Sequence, residues 1–187
     1  MHRRELLELL GAAALTPALA TLSAEQRFSL GRTLHLRLGS PLRVLTPAQD
    51  ALVTKVAELI IPETDTPGAT SVKVDEFIDL LLAEWYGDEE KMQFLDGLTA
   101  IDAEAMQAGQ SPFAAMPAAA QTTLLTRWEA ATGDQPPLSA AAGYKRIKSL
   151  TMYGYFTSER VTKEVTKPII FHPAFEGCVP YTPGGAR

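Results

Sequence analysis

The chain contains one cysteine, Cys178, in 187 residues. No disulfide can close within it, and no Cys-x-x-Cys redox pair, heme-attachment pair or cysteine-based zinc site can be assembled. Histidine is nearly as scarce: His2, His35 and His172 are the full set, and none lies at helical ligand spacing from another. There is no Gly-x-Gly-x-x-Gly after a strand, no phosphate-binding loop and no Gly-x-Ser-x-Gly, so the sequence signals for dinucleotide binding, nucleotide hydrolysis and serine-elbow chemistry are all missing. A Ser158, Glu159 and His172 set is conceivable on paper, but no strained elbow or oxyanion donor accompanies it. No apolar run reaches the roughly 20 residues that a membrane-spanning helix needs. Nor is there a clustered basic surface: the formal charge is −5, which argues against a nucleic-acid partner. The densest basic group, Lys145, Arg146 and Lys148, reads as a solvated helix face rather than a phosphate site.

What remains is 46% hydrophobic and 21% charged, the balance of one globular domain with a core that needs no staples. The N-terminus has the anatomy of an export signal. Arg3 and Arg4 precede an apolar segment, Leu9 to Ala20, that closes on Ala18-Leu19-Ala20, and paired arginines point to the twin-arginine route. His2, Leu6 and Glu8 depart from that pattern, and an amphipathic first helix with Leu6, Leu9, Leu10 and Ala13 on one face is the other reading. Residues 1–20 are thus expected to be a twin-arginine-type signal peptide and 21–44 an extended linker or arm. Within it, Thr33 to Leu38 alternates polar and apolar residues as a short strand or extended arm would.

From residue 45 the apolar spacing is helical, and no strand-turn-strand pattern surrounds an Asn-Gly or Asp-Gly pair. Thr46, Pro47 and Gln49 form a helix start with cap, first-turn proline and capping-box partner. Leu52, Val53, Val56, Leu59 and Ile60 make its apolar stripe, which Pro62 ends. Glu63 and Asp65 in the following loop lack regular oxygen-ligand spacing and read as turn and cap residues. A second helix presents Val74, Phe77, Ile78, Leu81, Leu82 and Trp85, with Asp75, Glu76, Asp79 and Glu84 placed elsewhere. Asp88 is positioned to cap a third, carrying Met92, Leu95, Leu98, Ile101 and Ala105. Phe113 reads as a core plug, Pro117 opens a helix with Leu124, Leu125 and Trp128, and another begins near Ser139. Ser158 is placed to cap a last short helix, with Val161 and Val165 inward. The fold class is all-α: a bundle of about five to six helices with an extended N-terminal arm and a Pro/Gly-rich C-terminal tail, residues 45–187 forming the domain.

Residue choice is hardest to explain by packing between Leu150 and Pro183. Tyr153, Tyr155 and Phe156 surround Gly154, whose missing Cβ lets another backbone or ring come close. Prolines and glycines between Gly177 and Gly185 make a tail that cannot form helix and must lean on something. Both read as surfaces for another polypeptide. Gly-Tyr-Phe-Thr-Ser-Glu at 154–159 and Gly-Cys-Val-Pro-Tyr-Thr-Pro-Gly at 177–184 resemble motifs of the gluconate 2-dehydrogenase subunit 3 family, over a stretch from about Leu45 to Pro183.

The resemblance implies a cofactor-free accessory subunit whose partner is a flavin-dependent large subunit of the glucose-methanol-choline type, with FAD in that partner. It leaves room for a heme c subunit in the same complex. On this expectation the protein is periplasmic and membrane-associated through the complex, and it carries its partner through export. The expected interface residues are Tyr153, Gly154, Tyr155, Phe156, Gly177, Cys178, Val179, Pro180 and Tyr181. In an oxidising compartment Cys178 is either a thiol packed under the tail or, preferred here, half of an interchain disulfide. No catalytic, cofactor or metal residue is assigned. The rival is an independent periplasmic enzyme or small-molecule binder with a pocket between helices, lined by Trp85, Trp128 and the tyrosines.

Overall fold

The computed structural model describes residues 17–131, 136 and 138–167. Among them every regular element is helical, as the spacing predicts. After a single turn, Pro17–Ala20, come α1 (Ala24–His35), α2 (Pro47–Ile60), α3 (Val74–Trp85), α4 (Asp88–Gly109), α5 (Ala118–Ala130), α6 (Ala140–Thr157) and α7 (Glu159–Val161). The last runs into a π-helical stretch, Thr162–Thr166. No described helix is long and apolar enough to cross a membrane.

Helix α1 corrects the extended-arm and short-strand expectations. Its start is a capping box: Ser23 Oγ accepts from the Gln26 N–H at 3.2 Å, and the Gln26 side chain accepts from the Ser23 N–H at 2.8 Å. Two otherwise orphaned donors are satisfied, and the helix is launched. Leu30 and Leu34, four apart, then share one buried face, while Leu36 is left 81% exposed beyond the last turn. The alternation of Leu34, Leu36 and Leu38 therefore straddles a helix end and is not a strand face.

Local chemistry sets the other starts largely as expected. Thr46, Pro47 and Gln49 cap α2 with both reciprocal bonds in place, and the Ser139 side chain caps α6. At α4 the cap is Gly87, whose N–H donates to the Glu90 carboxylate at 3.3 Å, and Asp88 is the first helical residue. The buried stripe of α4 is also displaced from the expected one. Phe94, Gly97, Leu98, Ile101 and Ala105 face inward, whereas Met92 is 58% exposed. In α3 the expected stripe is buried, but Trp85 at its end is 43% exposed. Phe113 is fully buried, its N–H held by Asp102 and its carbonyl by Gln121.

Helix α6 is the axis of the domain, and each of α1 to α5 packs against it. Twelve of its eighteen residues are buried, too many for the single apolar stripe of a surface helix, so it reads as a central one. Where α6 crosses α4, Gly143 meets Gly97: a Cβ on Gly143 would lie 2.7 Å from the Gly97 carbonyl oxygen and 2.9 Å from its Cα. These are backbone atoms, which cannot rotate away. Gly143→Ala should therefore force the helices apart and destabilise the fold by about 2 kcal/mol, as overpacking of a tight core does. A lower urea midpoint with an unchanged slope is the expected reading.

Candidate functional site

The motif at 154–159, with Tyr153 just before it, spans the last turns of α6 and the start of α7, and its two halves face different ways. Tyr153 is fully buried and donates its hydroxyl to the Arg27 carbonyl at 2.5 Å. Tyr155 is 4% exposed and donates to the Pro67 carbonyl at 2.7 Å. Burial raises both phenol pKa values, so both remain protonated donors. Gly154 admits a ring, but that ring is the chain's own: a Cβ there would sit 2.7 Å from Phe77 Cδ1. Tyr153, Gly154 and Tyr155 are thus core residues and not an exposed docking patch. Each finds its partner on α1, on α3 or in the loop before it. Phe156 is half-buried and meets Tyr155 edge to face at 5.2 Å. Gly177, Cys178, Val179, Pro180 and Tyr181 lie outside the described residues, as do Arg3, Arg4 and His172.

Opposite the motif stands His35, the last residue of α1. Its ring stacks on Phe77 at 4.8 Å, and its Nε2 lies 2.7 Å from the Gly154 carbonyl oxygen. A carbonyl only accepts, so Nε2 carries the proton. Gly31 lies one turn earlier, so close to Thr157 that a side chain there would strike it. Burial lowers the pKa of His35 below its ordinary 6.5, and nearby Arg32 adds to this, while the bond to Gly154 partly opposes it.

Above 6.5 neither the folded nor the unfolded chain holds a proton on His35, and its contribution to stability is complete. As pH falls through 6.5 toward the lower folded value, the unfolded chain takes up a proton that the folded chain refuses, and stability is lost. Melting curves between pH 7 and pH 5 should therefore fall more steeply for the native protein than for His35→Gln, whose amide still reaches Gly154. Parallel slopes would exclude His35 as the cause.

A second constellation ties α1 and its following loop to α3. Asp79 is 3% exposed and accepts three backbone N–H groups, from Arg43 at 2.7 Å, Val44 at 2.9 Å and Leu45 at 2.8 Å. Nearer the surface, Glu84 takes Arg37 on both oxygens and Arg43 on one. These bonds lower the Glu84 pKa. Asp79 is placed on a polar face by periodicity but serves as an internal clamp. The available signal is its position between Ile78 and Leu80, inside the apolar run from Phe77 to Leu82.

A cleft of about 160 Å³ opens where the end of α1 meets the start of α7, lined by Arg32, His35, Leu36, Ser158, Glu159 and Arg160. Trp85 and Trp128 do not line it. Trp128 is packed between Phe113 and Tyr144 and donates its indole N–H to Glu104, so the two tryptophans do not close one pocket. The basic trio of α6 is spent within the chain: Lys145 donates to the Ala131 carbonyl, Arg146 to Gln93, and Lys148 pairs with Glu129. Among the described residues no three His, Cys, Asp or Glu side chains are grouped to hold a metal.

The outward end of the motif thus sits beside a charged cleft, on a core that the inward end completes. A family model, Gluconate 2-dehydrogenase subunit 3, matches residues 47–176, which run from α2 through α7 and beyond. The chain belongs to that family. No curated protein and no solved structure gives a significant match. Within this subunit 3 fold, α1 and the loop clamped by Asp79 lie ahead of the matched stretch, yet α1 packs on its motif helix and the loop is tied to α3. The match stops short of Cys178, where the resemblance was expected to reach Pro183.

Proposed function

We propose that this chain is the non-catalytic small subunit of a flavin-dependent sugar or sugar-acid dehydrogenase, that it stabilises the catalytic subunit, and that it takes that subunit through twin-arginine export. The observation that carries the reading is the subunit 3 match over residues 47–176, together with the paired Arg3 and Arg4 at the start of the chain. On this reading FAD and the substrate belong to the large subunit, electrons leave through that subunit or a heme c companion, and Cys178 forms a disulfide with the partner. The complex is periplasmic and held at the membrane by its other members.

Co-expression tests it. With this chain absent, the catalytic subunit should be recovered at lower yield, with less bound flavin and outside the periplasm. Arg3→Lys with Arg4→Lys should block export of both chains, because the route reads the arginine pair. Equal yield, flavin content and location with and without the chain would refute the assignment. A reducible higher-mass band on a non-reducing gel is the expected sign of the Cys178 bridge.

A further inference from the structure

The cleft at the junction of α1 and α7 has one arginine too many. Glu159 pairs with Lys163 at 2.6 Å, and Arg160 with Glu164 at 3.2 Å, each across one helical turn. These four charges cancel locally. Arg32 has no carboxylate within ion-pair distance among the described residues, though it is near enough to Glu159 and His35 to influence both electrostatically. The other described arginines are engaged: Arg37 and Arg43 with Glu84, Arg127 with Glu104, Arg146 with Gln93, Arg160 with Glu164, and Arg27 with the Leu19 carbonyl.

Beside Arg32, Ser158 lines the cleft; it is only 5% exposed, and its hydroxyl makes no side-chain cap bond to α7. At the rim, Leu36 is 81% exposed, the most exposed large apolar side chain among the described residues. A guanidinium fork, a hydroxyl with no partner among the described residues and an apolar rim in one concavity form a receptor for a carboxylate on a short aliphatic stem. We propose that this cleft is a docking site for an aspartate or glutamate side chain of the catalytic subunit, with Arg32 as the anchoring cation and Leu36 packing against the stem. The proposal rests on the accessory-subunit reading above and names where on this chain the partner is held.

The position supports a polypeptide occupant. Ser158 and Glu159 are the outward end of the motif whose inward end builds the core, so a contact made here reports on correct packing of α1 against α6. His35, in the cleft wall, is disfavoured from charging by its burial, with its ring against the Gly154 carbonyl, which leaves Arg32 as the uncompensated charge. Arginines that are freed of water at the centre of an interface are frequent anchors of binding energy.

The experiment uses the full chain and its catalytic subunit, with affinity measured across a salt series. Arg32→Glu should weaken binding at least roughly tenfold and flatten the salt dependence, as loss of an interfacial charge pair does. Arg32→Lys should fall between, keeping the charge but losing the fork. Lys55→Glu, on α2, serves as the charge control and should leave affinity unchanged. Unaltered affinity and salt slope in Arg32→Glu, with the native pair binding normally, would overturn the cleft as a docking site and leave the accessory reading intact. No binding by the native pair would instead overturn that reading and the docking site with it. A melting temperature for isolated Arg32→Glu well below that of the native chain would show that Arg32 serves this chain's own fold, which also overturns the proposal.

Discussion

Phe77→Ala is expected to lower unfolding free energy by about 4 kcal/mol, within the range for truncating a fully buried phenylalanine in a core that cannot collapse around the void. Phe77 is 0% exposed and joins three elements. His35 of α1 stacks on one face at 4.8 Å, Tyr153 of α6 meets it edge-on at 5.3 Å, and Gly154 leaves it room. At this chain length the loss corresponds to roughly 10 °C in melting temperature. A double-mutant cycle separates this account from a general loss of apolar volume. Gly154→Ala alone should destabilise, since its Cβ would lie 2.7 Å from a ring carbon with nowhere to move. In a Phe77→Leu background the same substitution should cost less, because the smaller side chain vacates the space. Additive effects would show that the glycine does not exist to admit the ring. Phe77→Ala should also bring the pKa of His35 back toward 6.5, because burial is the main cause of its depression.

The same residues show what was legible beforehand. Capping is short-range chemistry, so Thr46-Pro47-Gln49 and Ser139 announced their helices, and the Phe113 plug followed from an aromatic in a proline-bounded connector. Helix α1 was just as readable from Ser23 and Gln26, but the three alternating leucines beyond it suggested a different period. The rings around Gly154 mark an unusual aromatic patch, and the glycine marks a place of close approach. Which way the patch faced depends on what packs against α6, and no local pattern encodes that. Tyr153 and Tyr155 find backbone carbonyls 126 and 88 positions away in sequence, pairings that periodicity cannot specify. Of the expected interface residues, the described part of the chain leaves Phe156 half-exposed, and the cleft at Ser158 is where the motif reaches the surface.

Asp79→Ala should cost about 3 kcal/mol, since bonds to a charged acceptor and the stranding of buried donors each contribute on the order of 1.5–3 kcal/mol and the loop offsets part by moving. The three donors differ in what they can recover. Arg43 is exposed and Val44 half-buried, so water can replace the carboxylate there. Leu45 is 5% exposed and stands immediately before the Thr46 cap, so its N–H must either remain unpaired or pull the start of α2 away. Asp79→Asn keeps the shape and one acceptor oxygen and should cost less than the alanine variant. Hydrogen exchange distinguishes a clamp from ordinary core loss. In Asp79→Ala the amides of Arg43, Val44 and Leu45 should exchange faster than the global decrease in stability accounts for, whereas the α4 amides should follow the global value. Uniform acceleration across the chain would mean that Asp79 holds no particular segment. Because the clamped loop continues directly from α1, loosening it should also free Leu36 and Arg32 from their place beside Ser158. A loss of affinity for the catalytic subunit larger than the loss of fold would then trace partner recognition back to a buried carboxylate that does not line the cleft.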